Sequence, residues 1–370
     1  MTTSLFPGIG AALWMLLGAL PVAALAGVPS EPAGSPLTAV AASALTLKEA
    51  EQLLRQADRA LLRPPAALPV VHTEGTLPTA AGYKLAVQAK ADWIAMAALA
   101  SAYAVAHAAD PSGARAARYR DGYEQYLSSW LDVYNISGNP IDESGLGHWL
   151  LAFRVAGQAL TVPTQQRMRA FACKLSARYQ QRMPPSRGTS TNNWQSHRVK
   201  LAVMGALTCS TPALVNGAQQ LFEEQVRANL APSGQSIDFA QRDALHYVVY
   251  SLEPLVEAAL FASFDERPLY RYTGPQGQSI ARGLEWLLPY ASGQRTHEEF
   301  VHSSVPFDKA RADAGVAGYS GLFKPELARH LYWLAAQLDI RWAATSQDLG
   351  IHSIVHRAAW QIIKSARTDP

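Results

Sequence analysis

The sequence lacks the signatures of several large protein classes. Alternation of Val, Ile and Thr with polar residues, as in β-strands, is almost absent. There is no Gly-x-Ser-x-Gly elbow, no Walker loop, and no Gly-x-Gly-x-x-Gly after a strand. His297 and His302 are five residues apart, so they do not form a zincin pair on one helix face. These absences argue against serine hydrolases, nucleotide-binding proteins and metalloenzymes, and we predict no metal and no other cofactor.

Charge is also scarce. Only 16% of residues are charged, and the formal net charge is +3. This value is too small to indicate nucleic-acid binding, yet it would not repel an anionic polymer. With 370 residues, 49% of them hydrophobic, the chain can bury a large core.

The N-terminal segment contains no charged side chain. An apolar run over residues 5–26 ends in Ala24-Leu25-Ala26 and is followed by a turn, as in secretory signal peptides. An uncleaved membrane anchor is the alternative, and no cysteine follows to indicate a lipoprotein. We predict a signal peptide over 1–26, a flexible segment over 27–44 and a single domain over 45–370. The mature protein would be a periplasmic or secreted monomer without stable membrane insertion.

Two cysteines flank one of the central helical segments. Cys173 and Cys209 would meet an oxidising compartment after export. Two buried free thiols are the alternative to a disulfide. We predict the disulfide, which would brace the helix between them.

From Leu45 onward the hydrophobic pattern is helical, with Pro or Gly between the segments. We predict the following helices: Ala50–Leu62, Tyr83–His107, Ala117–Tyr134, Gly145–Ala159, Pro163–Gln181, Asn193–Leu207, Ala213–Leu230, Asp238–Phe264, Ile280–Tyr290, Lys324–Leu338 and His352–Ser365. They share no repeated motif, so a closed or nearly closed toroid of helix pairs is favoured over an open solenoid. The fold predicted from the pattern is therefore all-α, a toroid of helix pairs.

Two of these helices carry groups suited to chemistry. Asn193 and His197 are four residues apart near the start of one helix, which places an amide and an imidazole together. Arg242, His246 and Tyr250 follow at four-residue steps, which predicts one shared face. We predict these five residues as the catalytic set.

Further candidates lie on loops and beside the catalytic residues. Loops at one rim of a toroid are suited to building a binding cleft. The predicted substrate-binding residues are His72, Glu74, Asn139, Trp194, Gln195, Arg198 and Tyr247. For each loop, an ordinary polar surface is the alternative interpretation.

This combination fits β-elimination of an acidic polysaccharide. The C5 proton of a uronate becomes removable when its carboxylate charge is neutralised, which Asn, Arg and His can do. A Tyr or His can then take the proton, and a Tyr can protonate the departing O4. An inverting glycosidase would instead need two facing carboxylates, for which the candidates are Glu74, Asp142, Glu143, Asp238 and Asp243. A non-catalytic polymer-binding protein is the third possibility.

The motifs resemble a known family. They comprise Asn192-Asn193-Trp-Gln-Ser-His197-Arg, Arg242-Asp-Ala-Leu-His-Tyr-Val-Val-Tyr250-Ser-Leu-Glu-Pro-Leu255, His72-Thr-Glu-Gly-Thr-Leu-Pro78 and Asn139-Pro-Ile-Asp-Glu143. Together they resemble the alginate lyase superfamily, the periplasmic mannuronate lyases and related glucuronan lyases. The resemblance implies an all-α, incomplete (α/α) toroid with a deep cleft. It also implies cleavage of a β-1,4-linked uronate polymer, polymannuronate first and glucuronan second. It implies that Asn193 and Tyr250 match the family's Asn and catalytic Tyr.

Two departures from the mannuronate lyases stand out. Trp194 occupies the place of their His, and His197 comes one turn later. Their Arg lies seven residues before the Tyr, whereas Arg242 lies eight before Tyr250. These shifts suggest a sister family with another uronate specificity.

Overall fold

Polar residues set the starts of several helices. The Thr46 side chain accepts a hydrogen bond from the backbone N–H of Glu49, and the Glu49 carboxylate accepts one from the backbone N–H of Thr46. Ser236 and Ser279 cap later helices through their side-chain oxygens in the same manner. The helix boundaries therefore follow local chemistry that is visible in the sequence.

The computed structural model describes residues 44–76, 79–181, 188–350 and 352–368. The predicted signal peptide over 1–26 lies outside these residues, as does the segment 27–44 except for its last residue. Across the described residues no helix is long and apolar enough to cross a membrane. The same residues contain no named strand, only isolated bridges between Leu230 and Ser236 and between Glu298 and Leu322.

The described α-helices, in chain order, are α1 (Leu47–Ala60), α2 (Tyr83–Ala109), α3 (Ala114–Val133), α4 (Pro140–Glu143), α5 (Gly147–Ala156), α6 (Val162–Gln180), α7 (Asn193–Cys209), α8 (Pro212–Asn229), α9 (Ile237–Arg242), α10 (Leu245–Ser263), α11 (Ile280–Ala291), α12 (Pro306–Asp313), α13 (Arg329–Leu338), α14 (Ala343–Asp348) and α15 (Ile354–Thr368). Short 3-10 helices span Ser144–Leu146, Gly157–Ala159, Leu269–Arg271, Pro325–Ala328 and Ile340–Trp342.

The helices pack as neighbouring pairs around a ring. Helix α2 packs against α3 and α5, α6 packs against α7, and α7 packs against α10. Helix α10 also contacts α13, and α15 returns to pack against α1 and α2. The last helix therefore meets the first, as expected of a toroid of helix pairs.

Helices α7 and α10 form the centre of this arrangement. Both are buried on almost every side, including the polar residues Asn193, Ser196 and His197 in the first turns of α7. The disulfide between Cys173 in α6 and Cys209 at the end of α7 is present. Functional groups at the start of α7 are thus held by a helix fixed at its far end.

The predicted helix Asp238–Phe264 was wrong in one respect that matters for function. The structure divides it into α9 and α10, because Asp243 adopts a left-handed conformation at φ 50° and Ala244 is extended. Arg242 therefore lies on a different helix from His246 and Tyr250. The remaining predicted helices are present with altered ends, whereas α4, α12 and α14 were not predicted.

Candidate active site

A cavity of about 480 Å³ opens between α10 and the segment that contains α12. Its wall is formed by Ile141, His246, Tyr247, Val249, Tyr250, Glu253, Arg311, Ala317, Gly318, Tyr319 and Leu327. Sequence analysis predicted three of these as site residues, namely His246, Tyr247 and Tyr250. The structure brings all three together on the wall, together with a cation and a carboxyl group that were not predicted.

Tyr250 contributes a phenol that is unusual in its surroundings. Within the described part of the chain its hydroxyl makes no hydrogen bond, although the residue lines the cavity. Burial, followed by the proximity of Tyr247 and Glu253, raises the pKa of Tyr250 above its ordinary value, while Arg311 acts in the opposite direction. The free protein therefore presents a protonated phenol whose hydroxyl is available to a ligand.

His197 lies directly behind this phenol. Its ring centroid is 4.3 Å from that of Tyr250, and its Nδ1 is 2.7 Å from Oγ of Ser144. Its buried Nε2 makes no well-formed hydrogen bond with the described residues. The nearby backbone of Tyr250 acts to raise the pKa of His197, and it is the smallest of the influences on that pKa. Burial, followed by the charge of Lys200, lowers the pKa of His197 to about 3. His197 is thus a neutral imidazole at physiological pH, packed against Tyr250.

Asn193 is fixed by a buried carboxylate. Its backbone N–H and its side-chain Nδ2 both donate to Asp238 Oδ1, at 2.9 and 2.6 Å. The Nδ2 of Asn229 donates to the other oxygen of Asp238, and burial raises the pKa of Asp238 despite these bonds. Asn193 therefore belongs to a buried network that orients the start of α7, and its amide is already engaged.

Arg242 is likewise engaged. Its Nη1 forms an ion pair with Asp308, which is only 1% exposed, and the guanidinium lies 4.0 Å from the ring centroid of Tyr247. The left-handed turn at Asp243 directs Arg242 to this position. Arg242 contacts the site through Tyr247 and is absent from the residues that line the cavity.

A buried carboxylate also organises the start of α10. Oε1 of Glu299 accepts hydrogen bonds from the backbone N–H groups of Leu245 and His246, both at 3.2 Å. Its other oxygen lies 3.5 Å from Nδ1 of His246. Phe300 places its ring centroid 5.0 Å from that of His246. The loop that carries Glu299 therefore holds His246 in the cavity wall.

The predicted loop residues gather around Asp142. This carboxylate accepts from the backbone N–H groups of Thr73 and Glu74 and lies 2.9 Å from His72 Nδ1. Burial alone would raise the pKa of Asp142, but these hydrogen bonds outweigh it and hold the pKa below its ordinary value. Asn139 caps α4, because its Oδ1 accepts from the backbone N–H groups of Ile141 and of Asp142 itself. The structure thus brings His72, Glu74 and Asn139 together, mainly through backbone and capping contacts.

The three other predicted binding residues lie on α7. Trp194 is partly exposed, whereas Gln195 is buried and its Oε1 has no hydrogen-bond partner among the described residues. Arg198 donates to the backbone carbonyls of Tyr179 and Gln181, at 3.3 and 2.7 Å, and its guanidinium lies over the ring of Tyr179. Arg198 therefore ties α7 to the end of α6.

A buried ionic cluster adjoins the cavity through Glu253. Ligand-type atoms of Glu253, Glu257 and His330 lie within 4.8 Å of one another. Lys200 Nζ is 2.7 Å from Glu257, so an ammonium already supplies positive charge there. Burial raises the pKa of Glu253 and so favours its neutral form, whereas the nearby His330 acts in the opposite direction. Sequence reasoning missed this cluster, although the four-residue spacing of Glu253 and Glu257 was a usable signal.

Comparison with known proteins places these observations in context. The family model for alginate lyase matches residues 28–297. The crystal structure of an alginate lyase from Bacteroides ovatus is similar, with a TM-score of 0.61 and 16% identity, covering 88% of this chain and 97% of that chain. No curated protein matches the chain. The structural similarity confirms the predicted all-α toroid.

Proposed function

Since the chain belongs to the alginate lyase family and is a polysaccharide lyase, we propose that it cleaves a β-1,4-linked uronate polymer by β-elimination. Polymannuronate is the first candidate substrate and glucuronan the second. The observation that supports this proposal best is the Tyr250 hydroxyl in the cavity wall, which makes no hydrogen bond with the described residues and whose ring packs against a neutral His197.

In the proposed reaction, Tyr250 serves as both base and acid. In polymannuronate and glucuronan the C5 hydrogen and the O4 leaving group lie on the same face of the sugar. Tyr250 first loses its proton to solvent, a step that the charge of Arg311 favours. The resulting phenolate takes the C5 proton, the C5 electron pair forms the C4–C5 double bond, and the C4–O4 bond breaks. The same phenol then returns the proton to O4. The products are one chain with a new hydroxyl end and one with a 4,5-unsaturated uronate end.

The groups behind Tyr250 would prepare this phenol for the reaction. His197 packs against its ring without adding a charge, because burial keeps the imidazole neutral. Asn193 and Arg242 are engaged by Asp238 and Asp308, so we assign them to positioning α7 and Tyr247. His246, with its side chain 21% exposed in the wall, would contact the substrate.

We also propose export, as the apolar segment over residues 5–26 and the Cys173–Cys209 disulfide are both consistent with an oxidising compartment. An anionic polysaccharide would meet the enzyme there.

An absorbance screen tests the reaction and the substrate together. The purified protein is incubated with alginate, polymannuronate, polyguluronate, glucuronan and hyaluronate, and ultraviolet absorbance of unsaturated ends is followed. We expect the largest increase with polymannuronate. Reducing ends without absorbance would indicate a hydrolase, and polymer binding without either product would indicate a binding protein.

A further inference from the structure

Arg311 is a cation in the cavity wall that has no carboxylate partner among the described residues. Its Nη1 donates to the hydroxyls of Tyr247 and Tyr319, at 3.1 and 2.7 Å. Its guanidinium lies 4.3 Å from the ring centroid of Phe307 and 4.9 Å from that of Tyr319. Neutral aromatic groups fix its position, and none of them neutralises its charge.

The other cationic candidates of the site are already paired. Arg242 is bound to the buried Asp308, and Lys200 is bound to Glu257. The amide of Asn193 donates to Asp238, and His197 is neutral. A negatively charged ligand that enters the cavity therefore meets only Arg311 as an uncompensated cation among the described wall residues.

The donor geometry of Arg311 suits a carboxylate. A guanidinium has five N–H donors, and the two bonds to Tyr247 and Tyr319 leave the Nε and Nη2 donors available. Planar forks of this kind bind carboxylates through two parallel hydrogen bonds. Gly318 adds no side chain to the neighbouring wall, and a Cβ there would meet nothing within 4 Å. Open space is therefore present at Gly318, in the same cavity wall as Arg311.

We propose that Arg311 binds and neutralises the carboxylate of the uronate whose C5 proton is removed, with Tyr319 holding the guanidinium in place. This inference rests on the proposed function and names the residue that makes the C5 proton acidic. Arg311 also favours the ionised form of Tyr250, so one cation would serve both the carboxylate and the base. Arg311 and Tyr319 lie beyond residue 297, where the family match ends.

The test compares an acidic substrate with its neutral methyl ester, whose C5 proton is acidic without help from a cation. The turnover of oligomannuronate and of its methyl ester is measured for the wild type, Arg311→Gln and Arg311→Lys. Lys309→Gln is the matched control, because it removes the same charge from the same helix at a side chain that is 81% exposed. We expect Arg311→Gln to lower kcat/KM for the acid by about 10- to 100-fold, the usual effect of losing charge-assisted hydrogen bonds. Activity on the ester should change much less.

A purely structural role predicts a different pattern. If Arg311 only held Tyr247 and Tyr319 in place, acid and ester would lose activity equally in both Arg311 variants, and the proposal would be overturned. The proposal would also be overturned if Lys309→Gln lost as much activity on the acid as Arg311→Gln. Removing any positive charge from this helix would then explain the loss.

A binding measurement separates this inference from the proposed function. Calorimetric titration of oligomannuronate and its ester into Tyr250→Phe, with and without Arg311→Gln, needs no turnover. We expect at least a 10-fold loss of affinity for the acid alone. If the wild type makes no unsaturated product, the proposed function fails, while this titration still decides whether Arg311 binds the carboxylate. Unchanged affinity for the acid would contradict the assignment.

Discussion

Replacing Tyr250 with Phe removes one oxygen atom from the cavity wall. From the structure we expect nearly unchanged stability and a large loss of activity. The hydroxyl makes no hydrogen bond with the described residues, so its removal leaves no buried partner unsatisfied. The free energy of unfolding should therefore change by less than about 0.5 kcal/mol. Turnover should fall by about 10²- to 10⁴-fold, because a positioned acid-base group contributes that much. This corresponds to a barrier higher by about 3 to 5 kcal/mol.

The assay combines absorbance of unsaturated ends with thermal unfolding, and Tyr123→Phe is the control. The Tyr123 hydroxyl is fully buried and also lacks a partner among the described residues, but it lies outside the cavity wall. Tyr123→Phe should keep full turnover. The reasoning is refuted if Tyr250→Phe keeps near-normal turnover while Tyr247→Phe or His246→Ala abolishes it, because the acid-base role would then belong to the neighbouring face of α10.

Three further predictions concern the scaffold and the environment. Replacing both Cys173 and Cys209 with Ser should lower the free energy of unfolding by about 4 kcal/mol in chemical denaturation, the loop-entropy value for a separation of 36 residues. The pKa of His197 is lowered to about 3, so the unfolded state binds more protons as pH falls from about 6.5 to 3. This group should cost about 2 kcal/mol of stability at pH 5, and His197→Gln should flatten that part of the pH–stability curve. Amino-terminal sequencing of the exported protein should begin at Gly27, whereas a chain that still carries Trp14 would contradict cleavage.

Much of the fold was predictable because local signals and tertiary structure agree. The long apolar segments could be buried only as helices, and caps such as Asn192 and Ser236 mark where helices start. The cysteine pair was predictable from its position around α7. Helix α12 was missed because only one of its residues, Asp308, is buried, so it lacks an apolar face that a sequence pattern could show.

The site was only partly predictable, because a helix face is a local property whereas an ion pair is not. The four-residue steps placed Tyr250 and His246 correctly, since both lie on α10. The same reasoning failed for Arg242, because Asp243 takes a left-handed conformation that the sequence pattern did not indicate. Its partner, Asp308, is 66 residues away in the sequence. No spacing rule could reveal that Arg242 is paired with a carboxylate and that Arg311 has no carboxylate partner among the described residues.

The hydrogen-bond partners and positions of the carboxylates bear on the choice between lyase and hydrolase. An inverting hydrolase needs a facing pair of carboxyl groups, one of them ionised and free to activate water. Asp142 and Asp243 accept backbone N–H groups, Asp238 accepts from Asn193, and Glu143 accepts hydrogen bonds from the hydroxyls of Tyr134 and Tyr179. Glu253 is the one carboxyl group in the described cavity wall, and burial favours its neutral form. The described wall presents one carboxyl group whose neutral form is favoured by burial, the phenol of Tyr250 and the guanidinium of Arg311. This set is suited to removing a proton beside a carboxylate, and no second carboxylate faces Glu253 among the described wall residues.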